Sequence, residues 1–215
     1  MTKLILVRHG QSIANAENKF AGHSDFDLSP MGKKQAELTC DYIIKREKID
    51  KIYASDLLRA YNTVVPASEK TGIPIIPLTS LREIFAGKWE ALTVTAIAET
   101  YPDDFNIWRH DFSNARPTDG ESVEELYHRI NAAICKIAED NPDSTVLIGT
   151  HATPVRAFEC FSRGLGADMI HTVPFCHNTA VNIFGYSEGK AYPIETNITE
   201  HLSELLTELP KEINA

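Results

Sequence analysis

Leu4-Ile5-Leu6-Val7 is a short apolar run that stops at Arg8-His9-Gly10. Far along the chain, Thr145-Val146-Leu147-Ile148-Gly149 repeats the pattern and stops at Thr150-His151. Runs this short, apolar, partly β-branched and bounded by glycine, read as strands. A strand with no polar face belongs inside a parallel sheet covered on both sides by helices. Helical patterns separate the runs. Ser29-Pro30 opens one with an N-cap and a proline at the first helical position, and Ala36, Cys40 and Ile43 carry it to about Arg46. Ser122 and Glu125 form a capping box before the stripe Val123, Leu126, Tyr127, Ile130, Ile134 and Ile137. Strands alternating with helices predict an α/β fold: a three-layer sandwich with a mostly parallel central sheet.

The remaining segments fit that plan. Lys51 to Ala54 is a second strand, and Ser55 is placed as the cap of a helix carrying Leu57, Ala60, Tyr61 and Val64. Pro66 is expected to kink or end that helix near Val65. Ile73 to Pro77 reads as a proline-bearing edge strand. Residues 81–120 show little periodicity beyond a short helix at Val94 to Glu99 and read as a lid-like insertion over one end of the sheet. Pro154 falls in the first turn of a helix bearing Val155, Phe158 and Phe161. Ala180 to Phe184 and Tyr192 to Ile194 are strands joined at Ser187-Glu188-Gly189, and Leu202, Leu205, Leu206 and Leu209 suggest a C-terminal amphipathic helix. Without repeats or linkers, residues 1–215 are read as a single domain.

Charge narrows the partners. The chain has 21 Lys+Arg against 30 Asp+Glu, a net charge of -9, which repels a phosphate backbone and argues against nucleic acid. No apolar run approaches membrane-helix length, and Leu4 to Val7 is too short for a signal peptide. Cys40, Cys135, Cys160 and Cys176 form no C-x-x-C pair, so reduced thiols and a cytoplasmic location are expected. The sequence carries no signature of oligomeric state.

Parallel strands deliver their C-terminal ends to one edge, where open α/β sheets bind ligands. Arg8-His9, the stretch Ser55-Asp56-Leu57-Leu58-Arg59, and Thr150-His151 therefore converge. Two guanidinium groups and two imidazoles in one place either repel one another or bind an anion. Arginine forks match phosphate oxygens, and Arg59 lies in the first turn of a helix, which also favours an anion. A neutral imidazole can attack phosphorus, and flanking cations would keep His9 unprotonated.

Leu6-Val7-Arg8-His9-Gly10-Gln11-Ser12 with Asn15 resembles the signature of the histidine phosphatase superfamily, in its phosphoglycerate-mutase-like branch. Four further motifs follow in the same order: Ser55 to Ala60, Leu81-Arg82-Glu83-Ile84 with Gly87-Lys88-Trp89-Glu90, Asp119-Gly120-Glu121-Ser122, and Gly149-Thr150-His151. The resemblance implies a phosphoglycerate-mutase-like fold over nearly the whole chain and a phosphomonoester hydrolase working through a phosphohistidine. His9 would be the nucleophile and Glu83 the general acid. Arg8, Asn15, Arg59 and His151 would bind phosphate, with Gln11, Gly22, His23 and Ala152 as possible substrate contacts. No metal or cofactor is implied, and the partner is a small phosphorylated substrate. The alternatives are a cofactor-dependent phosphoglycerate mutase and a non-enzymatic phospholigand sensor. Ala152 and Ala86 stand where relatives often carry glycine. Trp108, Arg109, His110 and Arg116 could face the substrate or the solvent.

Overall fold

The computed structural model describes residues 1–207. In chain order its elements are β1 (Thr2–Arg8), α1 (Ile13–Ala16), α2 (Pro30–Arg46), β2 (Lys51–Ser55), α3 (Leu58–Thr71), β3 (Ile75–Leu78), α4 (Val94–Thr100), α5 (Pro102–His110), α6 (Val123–Asp140), β4 (Thr145–Thr150), α7 (Ala152–Ser162), β5 (Val181–Ser187) and β6 (Lys190–Ile198). The strands form one sheet in the order β3-β2-β4-β1-β5-β6. β3, β2, β4 and β1 run parallel, and β5 and β6 add an antiparallel flank. The two apolar runs thus lie side by side at the centre.

Their side chains alternate between two cores, as the period of a strand requires. Leu4, Leu6, Val146 and Ile148 pack on one face with the stripe of α6 and with Val155 and Phe158 of α7. Ile5, Val7 and Leu147 pack on the other with Cys40 and Ile43 of α2 and Val64 and Ala67 of α3. Three layers result, as expected. β5 and β6 meet at Glu188 and Gly189, both at positive φ, the twist that a tight hairpin needs. No helix among the described residues is long and apolar enough to cross a membrane.

Four local expectations need correction. Ser55 ends β2 and does not cap α3; Leu57 occupies the cap position, and the N–H of Leu58 is met from a distant loop by Asp25 Oδ1 at 2.7 Å. Pro66 does not stop α3, which continues to Thr71 and a left-handed Gly72. An interior proline costs about 3 kcal/mol. Burial of Val64, Pro66 and Ala67 offsets it, since one fully buried valine contributes roughly 1.5–3 kcal/mol.

The 81–120 stretch is more ordered than its sequence suggests. It holds α4 and, unexpectedly, α5, which has Pro102 in its first turn, Asp103 and Asp104 beside it, and Arg109 and His110 in its last turn. Its order comes from aromatic packing, with Phe105 and Trp108 one helical turn apart on the buried face of α5. Phe20, Trp89 and Trp108 meet edge to face at 5.2–5.7 Å, and Phe112 joins at 4.9 Å. At the C-terminus, Leu202 is buried but Leu206 is exposed, and Ser203–Leu205 forms only a 3-10 turn. Leu209 lies outside the described residues.

Candidate active site

Strand register builds the centre of the site. Arg8 is opposite Thr150, so His9 and His151 leave neighbouring strands together. Their rings stand edge to face, 5.2 Å between centroids. On the far side of β4, Ala54 is opposite Gly149, which carries Ser55 to the second histidine; its Oγ is 2.9 Å from His151 Nε2. His9 Nδ1 lies 2.7 Å from the carbonyl of Gly10. A carbonyl only accepts, so Nδ1 carries the proton and Nε2 keeps its lone pair. Burial first, then Arg59 and Arg8, holds His9 well below the ordinary imidazole pKa. Burial, Arg59 and His9 do the same to His151. Both rings are therefore neutral at neutral pH.

Two buried cations flank this pair. Arg8 Nη1 donates to the carbonyl of Cys176 at 2.6 Å. Arg59 donates through Nη2 to Gly22 O at 2.7 Å and through Nη1 to Ser24 O at 2.9 Å. Burial lowers Arg59 to about 10, which still leaves it charged at neutral pH. Arg8 Nε, Arg59 Nε and His151 Nδ1 are buried and have no hydrogen-bond partner among the described residues. Buried polar nitrogens are rarely left in that condition, and a buried charge costs several kcal/mol unless compensated. An oxyanion supplies both the acceptors and the counter-charge.

The loop that receives Arg59 is tied down by one carboxylate. Glu90 accepts from the N–H of His23, Ser24 and Ala86 at 2.7–3.0 Å and from Ser24 Oγ at 2.6 Å. Gly22 is required beside it: φ is +49°, and a Cβ would lie 2.2 Å from Glu90 Oε1. Glu83 enters from the opposite wall. Its Oε1 accepts from its neighbour Ile84 N–H at 2.9 Å, and its Oε2 lies 3.4 Å from the N–H of Thr153, at the start of α7.

These walls line a cavity of about 90 Å³. Arg8, His9, Asn15, Arg59 and Glu83 all line it. Asn15 Oδ1 is taken by the N–H of Ser12, leaving the side-chain NH2 as the donor end. The arrangement offers a neutral nucleophile, fixed cations and a carboxylate around one small volume.

The sequence pattern described as histidine phosphatase superfamily (branch 1) matches residues 4–199. The chain belongs to that superfamily. It is 34% identical over 214 residues to phosphoserine phosphatase 1 of Hydrogenobacter thermophilus, spanning 99% of this chain and all of that one (100%). It is 32% identical over 163 residues to the glucosyl-3-phosphoglycerate phosphatase of Mycobacterium tuberculosis, 72% of either chain. Among solved structures, the Bacillus stearothermophilus protein YhfR superposes with a TM-score of 0.88 at 26% identity, covering 94% of this chain and 100% of that one. The chain is thus an enzyme of the phosphomonoester hydrolase class.

Within this histidine phosphatase the remaining sequence candidates divide. Gly22 and Ala152 line the cavity. Ala152 is the first residue of α7, where φ is negative and glycine is not needed. Gln11 does not line it; its side chain accepts from Ser29 Oγ at 2.7 Å, tying the turn after β1 to the start of α2. His23 does not line it either, because its Nε2 is bound 2.9 Å from the carbonyl of Glu83. His151 is buried and does not line it, but its ring meets that of His9 and keeps Nδ1 unpartnered among the described residues. Of the insertion residues, Trp108 is a wall of the cavity, whereas Arg109, His110 and Arg116 are exposed. Arg116 is committed to Glu125 and Gly120 O.

Lys19, Phe20, Thr153 and Phe175 also line the cavity and were not anticipated. Lys19 and Phe20 follow the first motif closely, which was a usable signal. Phe175 comes from the loop after α7 and had none.

Proposed function

We propose that this phosphatase transfers the phosphoryl group of a small monoester to His9 and then to water. The lone pair of His9 Nε2 attacks phosphorus while the ester P–O bond breaks. Glu83 gives its proton to the departing oxygen. In the second half, the Glu83 carboxylate takes a proton from water, whose oxygen attacks phosphorus as the P–N bond breaks. Arg8, Arg59 and His151 hold the phosphoryl oxygens throughout, with the NH2 of Asn15 assisting. Because the charge of phosphoryl transfer sits on those oxygens, fixed donors dominate the stabilisation.

One observation carries this reading: two buried arginines with unpartnered nitrogens bracket an imidazole that is neutral and has a free Nε2. The full-length likeness to a phosphoserine phosphatase makes phosphoserine the first substrate to test. Phosphate release is measured from phosphoserine, from an aryl phosphate, and from 3-phosphoglycerate with a trace of bisphosphoglycerate, each with and without EDTA. Phosphate is expected in every case where substrate is consumed, at rates the chelator does not change. Isomerisation of phosphoglycerate without phosphate release would show a mutase. Loss of activity in EDTA would show a metal-dependent mechanism.

A further inference from the structure

Asp119-Gly120-Glu121-Ser122 is a motif whose residues stay out of the cavity, and the chemistry above gives it no task. Its Glu121 is joined in a fork to Arg129 of α6: Nε to Oε1 at 2.8 Å and Nη2 to Oε2 at 2.7 Å. The other donors of Arg129 go to backbone. Nη1 reaches Ser80 O at 2.9 Å and Arg82 O at 3.0 Å, and Nη2 reaches Glu83 O at 3.2 Å. Glu121 holds the next residues: its Oε2 accepts from Phe85 N–H at 3.3 Å, and its own N–H donates to Phe85 O at 2.9 Å.

Residues 82–86 lie outside any helix or strand. The carbonyls of Arg82, Glu83 and Phe85 and the N–H of Phe85 are instead bound by Arg129 and Glu121, and His23 Nε2 meets the same Glu83 carbonyl at 2.9 Å. We propose that Arg129 and Glu121 are positioning residues: a clamp that sets the Glu83 carboxylate at proton-transfer distance from the leaving oxygen. The inference rests on the acid role proposed for Glu83. Proton transfer demands that geometry, and a misplacement of the order of 1 Å can cost about 100-fold. A bare structural brace would affect all substrates alike. A clamp for the acid matters in proportion to how much the leaving group needs a proton.

The test is the ratio of kcat/KM for dinitrophenyl phosphate to that for phenyl phosphate, with both measured on one preparation so that any inactive fraction cancels. Dinitrophenolate leaves unaided; phenolate needs the acid. Arg129→Met is expected to raise the ratio about 10-fold or more over wild type, approaching the larger rise in Glu83→Gln. If Arg129→Met does not fold, Glu121→Gln, which keeps the shape but weakens the fork, is expected to raise it about 3-fold. A ratio equal to wild type in the clamp variants, with a raised ratio in Glu83→Gln, overturns the clamp and leaves the mechanism standing. An unchanged ratio in Glu83→Gln itself overturns the acid role, and the clamp with it.

Discussion

Replacing His9 with alanine is expected to cut phosphate release by at least about 10⁴-fold while the protein stays folded. The expectation follows from what the ring does and does not hold. Among the described residues its Nδ1 bonds only to the carbonyl of the adjacent Gly10, so the substitution leaves none of their distant donors or acceptors unpaired. The backbone pairing of His9 N–H to Thr150 O at 2.9 Å is kept. What disappears is the nitrogen lone pair that lines the cavity beside two buried cations. Phosphate release and thermal denaturation on the same variant check both halves. Activity within tenfold of wild type would mean that water is attacking phosphorus directly.

Arg59→Lys is the second large effect. It is expected to lower kcat/KM by about 10²–10³-fold although the charge is conserved. Arg59 does two jobs with one planar group. Its terminal nitrogens fasten the 22–24 loop through Gly22 O and Ser24 O, and its Nε remains without a partner at the site. An ammonium on a flexible stem can reach one of those carbonyls or the phosphate, not both in fixed geometry. Steady-state kinetics on an aryl phosphate measures this. Full retention of kcat/KM by the lysine variant would show that only net charge matters at this position.

The parts of the site legible in the sequence are those tied to a strand end. Arg8 ends its strand, His9 and His151 follow theirs directly, and parallel register then brings them together. Arg59 was readable because it falls at the start of a helix. The parts that were not legible depend on packing between distant segments. Asp25 serves the N-terminus of α3 across 33 residues, which left Ser55 free to meet His151. Phe175 reaches the cavity where its ring meets that of Phe112 edge to face at 5.6 Å; the Arg156 guanidinium lies over both rings, at 4.2 and 4.4 Å, and binds the carbonyls of His171 and Val173. No periodicity announces such a cluster. α5 was different, since a proline at its start, acids after it and bases at its end are ordinary helix signals. Its buried stripe, Phe105 and Trp108, keeps helical spacing but is too short to stand out in an aromatic-rich stretch.

The central claim is a covalent bond between phosphorus and His9 Nε2. Rapid quench of the enzyme with an aryl phosphate labelled on phosphorus tests it most directly. The account predicts transient label approaching one phosphoryl group per chain, stable in alkali, lost in acid, mapped to the peptide that contains His9, and absent from His9→Ala. Label that survives acid, or wild-type turnover with no trapped label while an oxygen isotope from water enters phosphate with inversion, would contradict it.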